Sequence, residues 1–339
     1  MPRHKREPGT LPRPIAILGA LALAGATAMA VRLLPAGAAP APEPPPVARH
    51  TPAASSPVAA EPEPSFVAFV DTAREPGFDL SKDARRTGVR HYALGHLVAG
   101  DDGCAPKWNG PDQAGPLDPG KNPVANRISR LRALGGDAAP VFGGPDGREL
   151  ARTCTRPGGL AAAYRRVVGA FDAAAIGFEV RDSADRAAVL RRARAIHAMQ
   201  RERRLRVSFT LPLKPYGLTS GDVAMLRATR LAGAEVGTVN LLAELEPRGA
   251  PEGRLRRVAA AVLAARDQIA RAQGLEDPQD AWRRIALTPV LASADDLTEV
   301  EARTLAAYAA RHELAWLSLR GAAPKPDVSR ILWRTPSRI

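Results

Sequence analysis

The sequence predicts a (β/α)8 barrel, on three observations. Eight short apolar runs lie between residues 65 and 325. Most of them are separated by segments whose apolar residues recur at helical spacing, the alternation expected of repeated strand–helix units. No G-x-G-x-x-G follows the first run, where "VDTAREPG" stands instead, and this counts against a doubly wound nucleotide-binding sheet.

In chain order, the predicted strands are "FVAFVD" (66–71), "HYALGHLV" (91–98), "AAPVFGG" (138–144), "AIGFEV" (175–180), "RVSFTLPL" (206–213), "VGTVNLLAEL" (236–245), "RIALTPVLA" (284–292) and "AWLSL" (315–319). Helices are predicted in "NPVANRISRLRALG", "GGLAAAYRRVVGAF", "ADRAAVLRRARAIHAMQ", "EGRLRRVAAAVLAARDQIARAQG" and "LTEVEARTLAAYAARHEL". The first connection, 72–90, carries the weakest helical pattern. Residues 65–325 are therefore expected to form one barrel domain, with 326–339 as a C-terminal tail.

Ahead of the barrel, "MPRHKREPGTLPR" is a basic head and "PIAILGALALAGATAMAV" an apolar run. Residues 1–38 read as a signal peptide, with an Ala36-x-Ala38 cleavage site, or as a signal anchor. Residues 39–64 form a Pro/Ala-rich linker that is too poor in apolar bulk to pack. The body is thus expected to be secreted or anchored at the cell envelope, touching a membrane only through its N-terminal segment. The chain carries 48 Lys and Arg against 35 acids, a net charge of +13. Because the basic residues are spread over helical segments and not gathered into a patch, a nucleic-acid partner is not predicted. The only two cysteines, Cys104 and Cys154, are an even count in an exported chain, which favours one disulfide over two free thiols.

The fourth predicted strand raises a chemical question. Side chains alternate along a strand, so Ile176, Phe178 and Val180 share one face, and Gly177, Glu179 and Arg181 share the other. An acid and a base on consecutive rungs end an apolar run, at the strand terminus where barrels of this kind place their active sites.

Several segments in order resemble glycoside hydrolase family 18 chitinases of the short, secreted, single-barrel bacterial type. They are "CAPKWNG", "FGGPDGRELARTC", "SFTLPLKPYGLT", "TVNLLAE" and "IALTPV". The resemblance implies a barrel that takes N-acetylglucosamine-containing glycan, with a disulfide between Cys104 and Cys154. It also implies a D-x-D-x-E signature on the fourth strand, whose last acid protonates the glycosidic oxygen while the middle one orients the substrate's own N-acetyl group. Here Gly177, Glu179 and Arg181 occupy those three positions. A guanidinium keeps its proton, with a pKa above about 12, so Arg181 cannot serve as general acid. At an effective dielectric of about 20, its charge roughly 5 Å from a developing cation costs on the order of 3 kcal/mol. On the sixth strand, where the family carries Met-Asp-Tyr, "LLAELEP" supplies Glu244. On the last strand, the register of the family's tryptophan falls on Leu317, with Trp316 expected on the opposite face.

The expectation is a catalytically inactive chitinase-like protein, with no confident catalytic residue. Expected ligand-binding residues are Glu179, Arg181, Trp108, Tyr216, Asn240 and Glu244, with chitooligosaccharide or peptidoglycan as the glycan. Glu179 and Arg181 also fit a plain internal ion pair, and Trp108, Tyr216 and Trp316 also fit packing roles. The alternatives are an active enzyme with its acid relocated to Asp182 or Asp185, and a non-catalytic envelope scaffold. His91 and His96 read as barrel-lining or capping residues. No H-E-x-x-H and no G-x-S-x-G occur. Neither a metal nor a cofactor is therefore predicted, and the protein is expected to be monomeric.

Overall fold

The computed structural model describes residues 65–110, 117, 121–246 and 253–333. The predicted export segment and linker lie outside the described residues. Among the described residues, no helix is long and apolar enough to cross a membrane.

Strand–helix units follow one another along the chain: β1 (Val67–Asp71), α1 (Leu80–Thr87), β2 (His91–Ala99), a short β3 (Pro106–Trp108), α2 (Pro123–Arg132) and β4 (Asp137–Gly143). Next come α3 (Leu150–Thr153), α4 (Gly159–Phe171), β5 (Ala175–Glu179), α5 (Arg186–Glu202), β6 (Arg206–Pro212) and α6 (Ser220–Leu231). The last part holds β7 (Thr238–Glu244), α7 (Arg254–Gln273), β8 (Ile285–Leu291), α8 (Glu299–His312), β9 (Trp316–Leu317), β10 (Arg320–Gly321) and α9 (Pro326–Trp333). The wall runs β1-β2-β4-β5-β6-β7-β8-β10, and its neighbours are parallel throughout. An isolated parallel bridge between Phe66, just before β1, and Leu317 of β9 joins the first strand to the last wall segment, 316–321. The weakest predicted connection, 72–90, does contain a helix. Asp79 caps it by accepting from the Lys82 amide, and Gly88 ends it in the left-handed region. The stretch 326–333, read from sequence as tail, forms α9 and buries Val328 and Leu332.

Burial follows the alternation read from the fourth barrel strand, β5. Ile176 and Phe178 point outward under the helices, where Phe178 stacks on Phe142 with ring centroids 5.4 Å apart and meets Phe209 at 5.6 Å. Burying each such ring stabilises the fold by roughly 1.5–3 kcal/mol. Gly177 and Glu179 point inward. Small residues fill the N-terminal half of the interior, so Ala93, Ala139, Ala175, Gly177 and Trp316 surround a cavity of about 270 Å³. Trp316 therefore faces into the barrel while Leu317 is buried in the outer layer, and the expected inward register of Leu317 is corrected. On the same alternation, Trp316, Ser318 and Arg320 line up toward the C-terminal mouth.

Cys104 and Cys154 are joined in a disulfide across a sequence separation of 50. The bond ties the loop after β2 to the end of α3, and the Thr153 hydroxyl adds a 2.6 Å hydrogen bond to the Gly103 carbonyl. In the chain-entropy account, closing a loop of that length is worth about 4 kcal/mol. Replacing both cysteines by serine should lower the unfolding free energy in urea by an amount of that order, at unchanged pH.

Candidate functional site

The C-terminal mouth is organised around one carboxylate. Glu179 ends β5 with its side chain fully buried, and both its neighbours along the chain are engaged in the wall. Its Oε2 lies 2.9 Å from His96 Nε2 and accepts a 3.0 Å hydrogen bond from Arg320 Nη2. Arg320 Nη1 is 3.4 Å from the same His96 nitrogen. The Arg320 guanidinium also lies over the Phe69 ring, 3.3 Å from its centroid. Burial alone would push the Glu179 carboxyl up. His96 and Arg320, with a smaller push from Arg181, outweigh burial and hold it down at about 2. Burial likewise pulls Arg320 down, and Glu179 opposes that pull.

Local sequence explains how three distant strands converge. His91 and Ala93 line the interior of β2, so strict alternation would send His96 outward. A register shift between Leu94 and Leu97 re-aims it into the mouth, which is the ordinary use of a bulge beside a site. Room for the ring comes from Gly144, whose φ of +106° suits glycine, and a Cβ there would meet His96 Cγ at 2.5 Å. Arg320 arrives through the inward alternation of the last strand.

Arg181 stands two residues past the end of β5, with its side chain about half exposed, 47%. Its Nε approaches Glu179 Oε1 to 3.5 Å, an ion pair that supplies no hydrogen bond, because Oε1 has no hydrogen-bond partner among the described residues. The predicted Glu179–Arg181 pair thus exists, but His96 and Arg320 do most of the compensation. Above it lies a groove of about 540 Å³, lined by Gly143, Gly144, Arg148, Glu149, Arg152, Glu179, Arg181 and Asp182.

The other predicted positions are scattered. Trp108 is buried and packs against Phe171 with centroids 6.0 Å apart, so it offers no face to a sugar, and its expected role as a platform is corrected. Tyr216 is well exposed in the turn after β6. Asn240 is buried in a ladder inside the barrel, donating to Thr210 Oγ1 at 3.3 Å and accepting from Thr288 Oγ1 at 2.7 Å. Its amide is therefore spent on the protein itself. Glu244 is exposed at the end of β7, in a hollow with Lys214, Glu246 and Arg257 and not in the Glu179 groove. Asp182 pairs with Arg152 at 3.2 Å, and Asp185 caps α5 by accepting from the Ala188 amide, which lowers its carboxyl.

Sequence reasoning did not find Arg320, although counting by two from Trp316 reaches it. Glu149 was also missed. It lines the groove from the start of α3 and lies 3.3 Å from the fully buried Arg192. Burial pushes its carboxyl up, against the pull of Arg192 and Arg152.

Chemically, the mouth lacks a proton donor at the signature positions. Glu179 is ionised far below neutrality, and position 181 carries a guanidinium in place of an acid. What the mouth offers is a buried, unpartnered acceptor, Oε1, beside a half-exposed guanidinium.

No family model matches the chain. Over 197 residues it is 26% identical to a protein of Escherichia coli (strain K12) named "Probable bifunctional chitinase/lysozyme", a match covering 55% of this chain and 21% of that protein. The matched stretch is thus about a fifth of that relative's length. The catalytic domain of the hyperthermophilic chitinase from Pyrococcus furiosus superposes with a TM-score of 0.69 at 23% identity, covering 81% of this chain and 95% of that one. A GH18 chitinase from Pseudoalteromonas aurantia superposes with a TM-score of 0.56 at 10% identity, covering 80% of this chain and 100% of that one. The barrel is that of the glycoside hydrolase family 18 chitinases, and the chain is chitinase-like.

Glu179→Gln should destabilise the protein at pH 7 by about 3 kcal/mol, because it strands Arg320 beside a neutral amide. The folded carboxyl sits at about 2 against an ordinary 4.5, so its contribution is complete above about pH 4.5 and is lost as pH falls toward 2. In urea unfolding, the gap between the wild-type protein and the variant should be widest at neutral pH and should shrink by pH 3.

Proposed function

We propose that this chitinase-like barrel is an exported glycan-binding protein without hydrolytic activity. It takes N-acetylglucosamine-containing oligomers, from chitin or peptidoglycan, in the groove above Glu179. It acts as a single chain, held at or released from the envelope by residues 1–38. One observation carries the reading: the acid of the mouth is clamped in its ionised form at the floor of the groove, with its buried Oε1 lacking a hydrogen-bond partner among the described residues. A carboxylate held at about 2 donates no proton at neutral pH, but it accepts a hydrogen bond well. The chitinase-like fold supports the choice of glycan, and Tyr216 is exposed after β6 for stacking on a sugar face.

Restoring the signature is not a simple reversal. A Cβ at Gly177 would lie 3.1 Å from Val141 Cγ2 and 3.3 Å from Ser208 Oγ, so a first acid there requires both neighbours to give by a few tenths of an ångström. Titrating the full-length chain with the hexamer of N-acetylglucosamine should give saturable heat and leave the hexamer intact on chromatography. The double variant Gly177→Asp, Arg181→Glu should remain inactive. Sustained heat with shorter sugars accumulating from the wild-type protein would overturn the reading.

A second reading keeps hydrolysis, and it rests on Glu149. This groove acid is pushed up by burial, against the pull of Arg192 and Arg152, and it lines the groove beside Glu179 and Arg181. Under that reading, turnover by the wild-type protein would be abolished in Glu149→Gln, whereas Asp182→Asn would retain it.

A further inference from the structure

The groove holds more positive charge than its own acids use. Asp182 is paired with Arg152 at 3.2 Å, Glu149 with Arg192 at 3.3 Å, and Glu179 with Arg320 and His96 at 3.0 and 2.9 Å. Arg181 is left with one 3.5 Å approach to a carboxylate that is already compensated. Arg148, exposed on the same groove, donates to the Gly100 carbonyl at 3.0 Å and pairs with no acid among the described residues. A neutral oligosaccharide would offer Arg181 hydroxyl and carbonyl acceptors but no opposing charge, while removing water from a guanidinium whose only ion pair is a 3.5 Å approach. A carboxylate would instead receive two parallel N–H···O bonds from the planar guanidinium.

We infer that the mouth selects N-acetylated amino-sugar glycans bearing a carboxylate, with Arg181 binding that carboxylate and Arg148 adding to the attraction. The inference rests on the reading of the groove as a glycan site and narrows it. Arg181 then fixes which glycan is accepted, by reversing the charge of the position that resembles a proton donor. The buried Oε1 of Glu179 lies beneath it, 3.5 Å from Arg181 Nε, and helps to hold the guanidinium at the edge of the groove. A carboxylate in such a polymer comes either from a lactyl ether, as in peptidoglycan, or from a uronic acid.

The test is calorimetric titration of the full-length chain, at low ionic strength, with three tetrasaccharides. One contains only N-acetylglucosamine, one alternates it with N-acetylmuramic acid, and one is the hyaluronan fragment. At least one carboxylated sugar should bind about tenfold tighter than the neutral one, or about 1.4 kcal/mol. In Arg181→Gln that preference should fall to about twofold or less, and Arg181→Lys should keep part of it. The preferred sugar identifies the source of the carboxylate, a lactyl ether or a uronic acid. Equal affinities for neutral and carboxylated sugars, or a preference that survives in Arg181→Gln, would overturn the inference and leave the glycan reading standing. Heat from none of the three would overturn both.

Discussion

The buried carboxylate of Glu179 is the constraint around which the mouth is arranged. An ionised acid inside a barrel is tolerable only with partners, and they have to come from elsewhere in the wall. His96 is brought in by a bulge on β2, and Arg320 by the last strand. Gly144 gives up a side chain so that the imidazole fits, and Phe69 lies beneath the guanidinium. Each of these features has its reason in one charge. The same set that makes the charge bearable also removes its value as an acid, since every partner favours the ionised form.

Stability and chemistry are therefore coupled at this site. In an active glycosidase of the resembled type, the terminal acid of the strand must hold a proton near neutral pH and release it to the leaving oxygen. Here that position carries a permanent cation and the preceding acid is clamped. The first position has lost its side chain altogether, and Val141 and Ser208 stand close to the vacated space. The mouth holds its donors and acceptors in a fixed network of His96, Arg320 and Glu179.

Much of the fold was legible because it depends on short-range pattern. Strand alternation placed Gly177 and Glu179 inward and Ile176 and Phe178 outward, and both placements follow from period two alone. The site was legible only where it lay on a regular strand. His96 could not be placed from sequence, because the bulge that turns it inward comes from pairing with β4 and leaves no local signature beyond Gly95. Arg320 was hidden by an error of register, since Leu317 and not Trp316 was taken as facing inward. Trp108 looked like a sugar platform from its loop position, but contact with Phe171 decides its role, and that contact is long-range. Asn240 lay on the right strand and the right face, yet Thr210 and Thr288 consume its amide.

The closure of the wall has a further meaning. Most neighbouring strands are joined by ladders of three or more residue pairs, but the last wall segment meets β8 through two two-residue ladders and the first strand through the bridge of Phe66 and Leu317. The last wall segment is therefore the most weakly paired part of the described wall, where local opening short of global unfolding is expected to begin. Arg320 lies on the strand that would swing away, so each such opening draws the guanidinium off Glu179. The fraction of time this segment stays paired would then set how long the carboxylate keeps its clamp.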